Sequence, residues 1–202
     1  MFYEPEKRDR AVLPHDPFKA IVAPRPVGWI TSMSARGEIN LAPYSFFNAV
    51  GSRPNMLMFS SEGHKDSIAF IEETGEFVCN LATWDLREQM NETSAPMARG
   101  QNEMVRAGLA PAPSVIVKPP RVAASPCALE CKMTQIVALH DIAGAPVDCH
   151  VVFGQVVGVH IDDRFVKNGI LDTAAMRPIA RCGYAGDYAV VDSLFSMLRP
   201  ER

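Results

Sequence analysis

The stretch from residue 24 to residue 61 constrains the fold more than any other part of the chain. It holds three strand-like pieces, and turn residues separate them, among them Pro26, Gly37 and Pro54. Gly37 stands where a tight hairpin needs a positive φ. The polar residues of this stretch are mostly small hydroxyls and amides. That composition suits a flat, uncharged, hydrogen-bonding ligand held against a sheet, and it does not suit a metal or a nucleic acid.

The rest of the chain continues the pattern of short, β-rich elements. Sixteen prolines and thirteen glycines are spread along the 202 residues, as a fold of many short elements requires. Two long runs, 128–139 and 147–161, are predicted to pair as a hairpin through a turn that contains Gly144. The other predicted strands are 19–23, 27–35, 39–42, 55–60, 76–82 and 184–191. Because 55–60 is apolar at nearly every position, we expect both of its faces to be covered.

Helical spacing is confined to short segments. The first is expected to begin near Asp66, a candidate N-cap, and to end before Gly75. The other predicted helices are 83–97, 103–107 and 172–180. Because hairpins outnumber any βαβ pattern, and no glycine-rich phosphate loop follows a strand, we predict a mainly β fold, a β-barrel with peripheral helices. We expect one domain, residues 19–202, after an irregular N-terminal arm, residues 1–18.

Composition narrows the classes of partner. Apolar residues make up 48% of the chain, and the net charge of −3 offers no basic field to nucleic acid. No apolar run approaches the ~20 residues of a membrane-spanning helix. The first residues lack a signal-peptide pattern, and an odd number of cysteines, five, favours reduced thiols. We therefore expect a cytoplasmic protein that binds neither nucleic acid nor membrane.

Small hydroxyls and one lysine gather around the start of the predicted helix near Asp66. Ser60 and Ser61 end one predicted strand, and Lys65 and Ser67 lie at the helix start. The same hydroxyl cluster includes three residues of the strand predicted at 27–35: Thr31, Ser32 and Ser34. A helix N-terminus offers free N–H groups and a partial positive charge, so together with a lysine it suits a phosphate monoester. The alternative is that Asp66 and Ser67 only cap the helix.

The second candidate surface is an aromatic run. If 44–48, which reads YSFFN, forms a strand, then Tyr44, Phe46 and Asn48 share one face. That face could present a ring and an amide to a flat heterocycle. The alternative is ordinary packing of a hydrophobic core.

Metal and nucleophilic sites find little support in the sequence. Cys127 and Cys131 lack the partner spacing of a zinc ribbon, and the histidines form no ligand motif. No GxSxG elbow is present. We predict no metal and no dedicated catalytic side chain.

These residues resemble the flavin reductase-like proteins of the FMN-binding split-barrel fold. The most specific block is RPVGWITSMSARGEINLAPYSFFNAVGSRPNMLMFSS (25–61), followed by GHKDSIAFIEETGEFVCNLAT (63–83). MNETS (90–94) and RPIARCGYAGDYAV (177–190) match less specifically but fall in the family's order. The resemblance covers most of the chain after residue 18.

The resemblance implies a split β-barrel that forms a homodimer and binds FMN noncovalently near the dimer interface. The strand around 31–34 and the segment around 45–48 would hold the isoalloxazine and the ribityl chain. Residues 60–61 and 65–67 would hold the lower ribityl chain and the phosphate. The residues implied are Thr31, Ser32, Ser34, Ser45, Phe46, Phe47, Asn48, Ser60, Ser61, Lys65, Asp66 and Ser67.

The implied activity is hydride transfer from NADH or NADPH to FMN. The expected ligands are therefore a flavin and a nicotinamide nucleotide, and a partner oxygenase is one expected recipient of the reduced flavin. Because the cofactor carries this chemistry, no acid–base pair is needed. His150 and His160 are candidates to flank the nicotinamide, with a purely structural role as the alternative. Two other functions stay open: an FMN-containing electron-transfer protein that serves another redox protein and lacks a nicotinamide site, and a barrel that only sequesters its ligand.

Overall fold

The computed structural model describes residues 1–200. Its helices are α1 (Phe18–Ile21), α2 (Asp66–Thr74), α3 (Arg87–Glu92), α4 (Glu103–Arg106) and α5 (Thr173–Met176), with single 3₁₀ turns at Pro5–Lys7, Trp84–Leu86 and Asp163–Phe165. Its strands are β1 (Arg25–Pro26), β2 (Gly28–Met33), β3 (Ile39–Tyr44), β4 (Phe47–Ser52), β5 (Asn55–Glu62), β6 (Glu76–Leu81), β7 (Pro111–Ala112), β8 (Arg121–Val122), β9 (Cys127–His140), β10 (Pro146–Ile161), β11 (Val166–Lys167), β12 (Ile170–Leu171), β13 (Ile179–Arg181) and β14 (Tyr188–Val190).

Seven strands form one antiparallel sheet in the order β3-β2-β6-β9-β10-β5-β4. Its two edge strands, β3 and β4, are consecutive along the chain and are joined only by Ser45 and Phe46. A flat sheet of seven strands would be roughly 29 Å wide, which two residues cannot span. The sheet therefore curls until its edges meet, and the N–H of Ser60 on β5 donates to the carbonyl of Phe46 at 2.8 Å. The predicted mainly β barrel is confirmed.

The interior of the barrel is filled by large apolar side chains from the sheet and from α2. Phe59, Phe77 and Val152 are fully buried there, and Ile68 and Ile71 of α2 join the same cluster. Two glycines leave room for aromatic rings. A Cβ on Gly28 would lie 2.6 Å from the ring of Phe47, and one on Gly154 would lie 2.4 Å from that of Phe77.

A second core lies outside the barrel wall. Trp29 and Leu41 point outward from β2 and β3 and pack against Met90 of α3 and Met104 of α4. The three-stranded sheet β1-β13-β14 adds Ile179 to this cluster. The alternation of side chains along β2 and β3 thus serves two cores, one on each face.

Local signals predicted several elements correctly. The hairpin at Gly37, the helix from Asp66 to the left-handed Gly75 and the long hairpin at Gly144 are all present. The predicted helix 103–107 is confirmed as α4, whereas only four residues of the predicted helix 172–180 are helical, as α5. No helix within residues 1–200 is long and apolar enough to cross a membrane.

Two predicted elements are wrong in type or extent. Residues 19–23 are not a strand, because most of them belong to α1, which starts where Asp16 Oδ1 accepts the N–H of Phe18 at 2.9 Å. The helix predicted at 83–97 ends at residue 92. There the hydroxyl of Thr93 donates to the carbonyl of Met90 at 2.7 Å and accepts the indole N–H of Trp29 at 2.9 Å.

Two predictions about strand faces are also wrong. Residues 44–48 do not form one strand, because β3 ends at Tyr44 and β4 begins at Phe47. The strand β5 does not have both faces covered. Leu57 and Phe59 are buried, whereas Met56 is only half-buried, so β5 presents a single face to the barrel core.

Candidate functional site

Three adjoining cavities open where the Ser45–Phe46 link meets the start of α2. The helix cavity, about 410 Å³, borders Lys65 and Ser67. The link cavity, about 200 Å³, lies at Ser45 and Phe46 and shares Lys65 with the helix cavity. The Arg181 cavity, about 230 Å³, shares Ser45 with the link cavity. We call the three together the candidate cleft.

The first turn of α2 offers unpaired donors to the helix cavity. Lys65 occupies the N-cap position, and no side chain caps the helix. The N–H groups of Ile68 and Ala69 bond to the carbonyl of Lys65, both at 3.0 Å. Those of Asp66 and Ser67 have no protein acceptor within residues 1–200, so they remain free for a ligand. The alternative in which Asp66 and Ser67 only cap the helix is therefore wrong.

A chain of side-chain hydrogen bonds fixes Ser67 at the edge of this cavity. The amide of Asn40 donates to the hydroxyl of Ser67 at 2.7 Å and to that of Ser32 at 3.3 Å. Asn40 on β3 lies directly opposite Ser32 on β2 in the sheet register. All three residues are buried. Ser32 does not line the cavity, but it orients Asn40, which does.

The formal charges of Lys65, Arg99, Asp66 and Glu103 around the helix cavity balance, and Lys65 is the cation left without a carboxylate partner among the described residues. Lys65 pairs with no carboxylate in the part of the chain described, and Asp66 is bound by Arg99 at 2.8 Å. Burial raises the pKa of Glu103, which accepts the N–H of Leu41 at 2.9 Å. Burial thus disfavours the charged form of this carboxyl, whereas the hydrogen bond from Leu41 favours it.

Two cations lie near the Phe46 ring of the link cavity, and of the two only Lys19 lines the cavity itself. The ammonium of Lys19 is 5.6 Å from the centroid of the Phe46 ring, and the guanidinium of Arg25 is 5.8 Å from it. Arg25 is only 5% exposed and donates to the carbonyls of Lys19 and Val22 at the end of α1. Arg25 therefore ties α1 to the barrel beside the ring that lines the cleft.

Comparison with known proteins identifies the family. The sequence model described as "Flavin reductase like domain" matches residues 22–177. The chain belongs to the flavin reductase-like family. An uncharacterized protein of Aquifex aeolicus is 34% identical over 176 residues, 84% of this chain and 85% of its own.

Two solved structures are similar over nearly the whole chain. Nitrilotriacetate monooxygenase component B from Bacillus cereus has a TM-score of 0.86 and 26% identity, and the match covers 98% of both chains. Pseudomonas fluorescens 2-nitrobenzoate 2-nitroreductase NbaA has a TM-score of 0.79 and 26% identity, over 90% of this chain and 88% of its own. The resemblance seen in the sequence and the predicted split-barrel fold are both confirmed.

The cleft fits the flavin nucleotide that a flavin reductase-like protein binds. A phosphate would meet the free N–H groups of α2 and the unpaired Lys65. The uncharged wall formed by Ser45 and Phe46 suits a flat heterocycle, and Ser60 offers a hydroxyl between these two ends. Both halves of the ligand thus find a complementary surface in adjoining cavities that share Lys65.

Half of the predicted flavin-binding residues line the cleft of this flavin reductase-like chain. Its walls are formed by short pieces of β3, β5, α2 and the link, together with the segment 93–99 and one residue each of β13 and β14, all distant in sequence but adjacent in the fold. The predicted residues that line it are Ser45, Phe46, Ser60, Lys65, Asp66 and Ser67.

Besides Ser32, three predicted hydroxyls are engaged elsewhere. Thr31 accepts the side-chain amide of Asn80 at 2.9 Å. Ser34 donates to Glu38 at 2.9 Å across the hairpin turn. Ser61 is buried and donates to a carbonyl in the turn before α2 at 3.1 Å. In this structure the three hydroxyls stabilise the walls, and their contact with flavin remains a prediction.

Phe47 and Asn48 lie on β4, away from the cleft. Phe47 packs toward the barrel interior beside Gly28. Asn48 is exposed, and its side-chain oxygen accepts the N–H of Ala49 at 2.9 Å. Since β4 is a sheet edge, these two residues would meet flavin only if a second copy brought its cleft to this edge.

Several cleft residues were missed from the sequence. Asn40 could have been found, because the hairpin centred on Gly37 places it opposite Ser32. Ser94 lines two of the three cavities and lies in the quoted MNETS block. Arg99 also lines the helix cavity, but no sequence pattern pointed to it, because it lies just after the helix predicted at 83–97 and belongs to no motif.

His150 and His160, the two histidines considered for a nicotinamide contact, lie in different surroundings and both lie outside the candidate cleft. His160 Nε2 lies 2.5 Å from the buried carboxylate of Glu130, which favours the structural alternative. His150 packs edge-on against His64 at 5.7 Å, and His64 lines the helix cavity. Neither His150 nor His160 lines the candidate cleft.

Proposed function

We propose that this protein is an FMN-binding flavin reductase that transfers a hydride from NADH or NADPH to FMN. The observation that supports this best is the unpaired Lys65 beside the free N–H groups of α2. They open into the same cleft as the uncharged Ser45–Phe46 wall. A phosphate site and a flat-ring site are thereby joined in one opening, as a flavin mononucleotide needs.

The chain's own residues would bind and orient both ligands. When bound, FMN supplies the ring that accepts the hydride. Lys65 and the N–H groups of Asp66 and Ser67 would hold its phosphate, while Asn40 keeps Ser67 oriented. Burial raises the pKa of Tyr44, so its phenol stays a neutral hydrogen-bonding group at the cavity wall. None of these roles requires a side chain that exchanges protons with the ligand.

A homodimer is part of the proposal because apolar side chains are exposed at two strand-rich surfaces. Val50 lies on the edge strand β4, and Val137 and Leu139 lie on the outer half of the β9–β10 hairpin. Pairing of these surfaces in a second copy would remove them from water. Reduced flavin would then pass to a partner oxygenase. In support, the Bacillus cereus relative is named as component B of a monooxygenase.

Replacing Lys65 tests the phosphate site directly. Lys65→Ala should weaken FMN binding by roughly 1–3 kcal/mol, about 5- to 150-fold in Kd, because a charge-assisted hydrogen bond is lost. Flavin fluorescence titration measures the change. Lys167→Ala is the matched control, since Lys167 is exposed and pairs with Asp172 outside the cleft. Equal FMN affinity in Lys65→Ala and wild type would contradict the assignment.

Steady-state oxidation of NADH and NADPH with added FMN tests the activity. We expect turnover with at least one of the two nucleotides, and loss of FMN affinity in Lys65→Ala should raise the FMN concentration that half-saturates it. If neither nucleotide were oxidised while FMN bound tightly, the reductase proposal would be wrong. An electron-transfer protein without a nicotinamide site would then explain the cleft.

A further inference from the structure

A fourth cavity, of about 450 Å³, lies between α3 and the β13–β14 hairpin. We call it the Trp84 cavity; it is lined by Trp84, Arg87, Met90, Ile179 and Tyr188, among others. It shares Tyr188 with the Arg181 cavity, which in turn reaches Ser45. The Trp84 cavity therefore adjoins the Arg181 cavity at Tyr188, and the two follow one another from Trp84 toward Ser45. We call these two adjoining cavities the groove.

The far end of this groove suits a flat heteroaromatic group. Trp84 is 38% exposed although it lies beside a core, and two guanidiniums lie over its ring, that of Arg87 at 4.2 Å and that of Arg177 at 5.3 Å from the centroid. A stacked base would share the exposed part of the ring with them. Met90 and Ile179 supply an apolar floor. Glu88 also lines the cavity but is paired with Arg87 at 3.3 Å, so its charge is compensated. Nucleic-acid bases bind surfaces of this kind by stacking on an aromatic ring.

The middle of the groove suits an anion. Arg181 lines the Arg181 cavity, and its guanidinium lies 4.7 Å from the centroid of the Tyr188 ring. Within the described residues it pairs with no carboxylate. Stacking on Tyr188 holds the guanidinium in place while leaving its N–H groups free for phosphate oxygens.

We propose that this groove binds the adenosine diphosphate half of a dinucleotide donor, with the base at Trp84 and the diphosphate at Arg181. The nicotinamide then reaches the Ser45 end, beside the proposed flavin site. The order of surfaces along the groove, aromatic then cationic then uncharged, matches the order of groups along such a dinucleotide. This inference rests on the proposed reductase function, because only a reductase of this type needs a dinucleotide here.

Tryptophan fluorescence tests the site without any turnover. The chain has two tryptophans, and Trp29 is fully buried, so quenching by added ADP-ribose reports on Trp84. We expect saturable quenching, weakened by about tenfold in Arg181→Gln, since a charge-assisted contact becomes a neutral one. Arg164→Gln, an exposed cation outside the groove, should leave the affinity unchanged. Quenching that does not saturate, or equal affinity in Arg181→Gln and wild type, would overturn the inference.

Anaerobic stopped-flow reduction of the FMN-loaded protein gives an independent test. The donors are NADH, NADPH and reduced nicotinamide mononucleotide, which lacks the adenosine half. Trp84→Ala should raise the half-saturating dinucleotide concentration about tenfold, the scale of base–aromatic stacking, and leave the mononucleotide unaffected. Trp84→Phe, which keeps an aromatic face, should retain most of the wild-type affinity. The same effect of Trp84→Ala on both kinds of donor, or no effect on either, would contradict a base site at Trp84.

The two experiments separate failure of the inference from failure of the proposed function. Saturable quenching with no flavin reduction by any donor would refute the reductase and leave a nucleotide site in the groove. Flavin reduction with no quenching, and with NADH no better than the mononucleotide, would refute the groove alone.

Discussion

The buried carboxylate of Glu130 gives the most quantitative prediction. It lies on β9 with no exposed surface and accepts the N–H groups of Val115, Ile116 and Val117 at 2.7, 2.6 and 2.9 Å. His160 Nε2 contacts it at 2.5 Å. One side chain therefore fixes a loop of three residues to the barrel wall, and its replacement should be costly.

The size of the effect follows from the pKa of Glu130. Burial alone raises this pKa, but the hydrogen bonds from His160 and from the three backbone N–H groups outweigh it and hold the pKa at about 2. The difference between the ordinary value of 4.5 and about 2, at about 1.4 kcal/mol per pH unit, corresponds to roughly 3 kcal/mol. Because the pKa in the folded state is the lower one, this stabilisation is complete above about pH 4.5 and is lost as the pH falls toward 2.

Glu130→Gln should therefore lower the free energy of unfolding by roughly 2–3 kcal/mol at pH 7, since a neutral amide offers only one acceptor to three donors. Urea unfolding followed by circular dichroism measures the loss, and the gap to wild type should narrow between pH 4.5 and pH 2. Glu76→Gln is the matched control. Its carboxylate is solvent-accessible and accepts only the N–H of Lys118, from the same loop. A loss in Glu130→Gln no larger than in the control, or one independent of pH, would refute the reasoning.

Three further predictions concern the barrel wall, the cleft and the dimer. Gly28→Ala should destabilise the fold by roughly 1–3 kcal/mol in thermal unfolding, because its Cβ would lie 2.6 Å from the Phe47 ring; an unchanged melting temperature would contradict this close approach. Asn40→Leu should lower FMN affinity by about tenfold in fluorescence titration, since Ser67 loses its donor; undiminished affinity would remove Asn40 from the site. Val137→Lys should shift the protein toward monomer in sedimentation velocity, and a wild-type profile would exclude this face of the hairpin from the interface.

The sequence predicted best those elements whose signals are local. Gly37, Gly75 and Gly144 each have a positive φ where a turn or a helix end was expected. The segment 19–23 was misread because its apolar residues favour a strand, whereas α1 depends on Arg25, whose contact with the carbonyl of Lys19 is not encoded in any local pattern.

The same contrast between local signals and long-range contacts explains which residues of the candidate site could be predicted from the sequence. Lys65 and Ser67 were found because a helix start is visible in the sequence. Thr31 was placed with them by residue type alone, yet its hydroxyl is bonded to Asn80, on a neighbouring strand 49 positions away. Such pairing depends on strand order, which single-sequence patterns do not supply.

Barrel closure and ligand binding depend on the same two residues. Ser45 and Phe46 must join the sheet edges, so the backbone there is pulled against β5, where Ser60 donates to the carbonyl of Phe46. That contact brings a strand end next to the start of α2 and leaves an opening between them, lined by Ser45, Phe46 and Lys65. The side of the cleft formed by the link is thus fixed by the sheet. A ligand that bridges the link and α2 would tie the connection between the edge strands to the helix that covers the barrel core, and its binding should stabilise the fold.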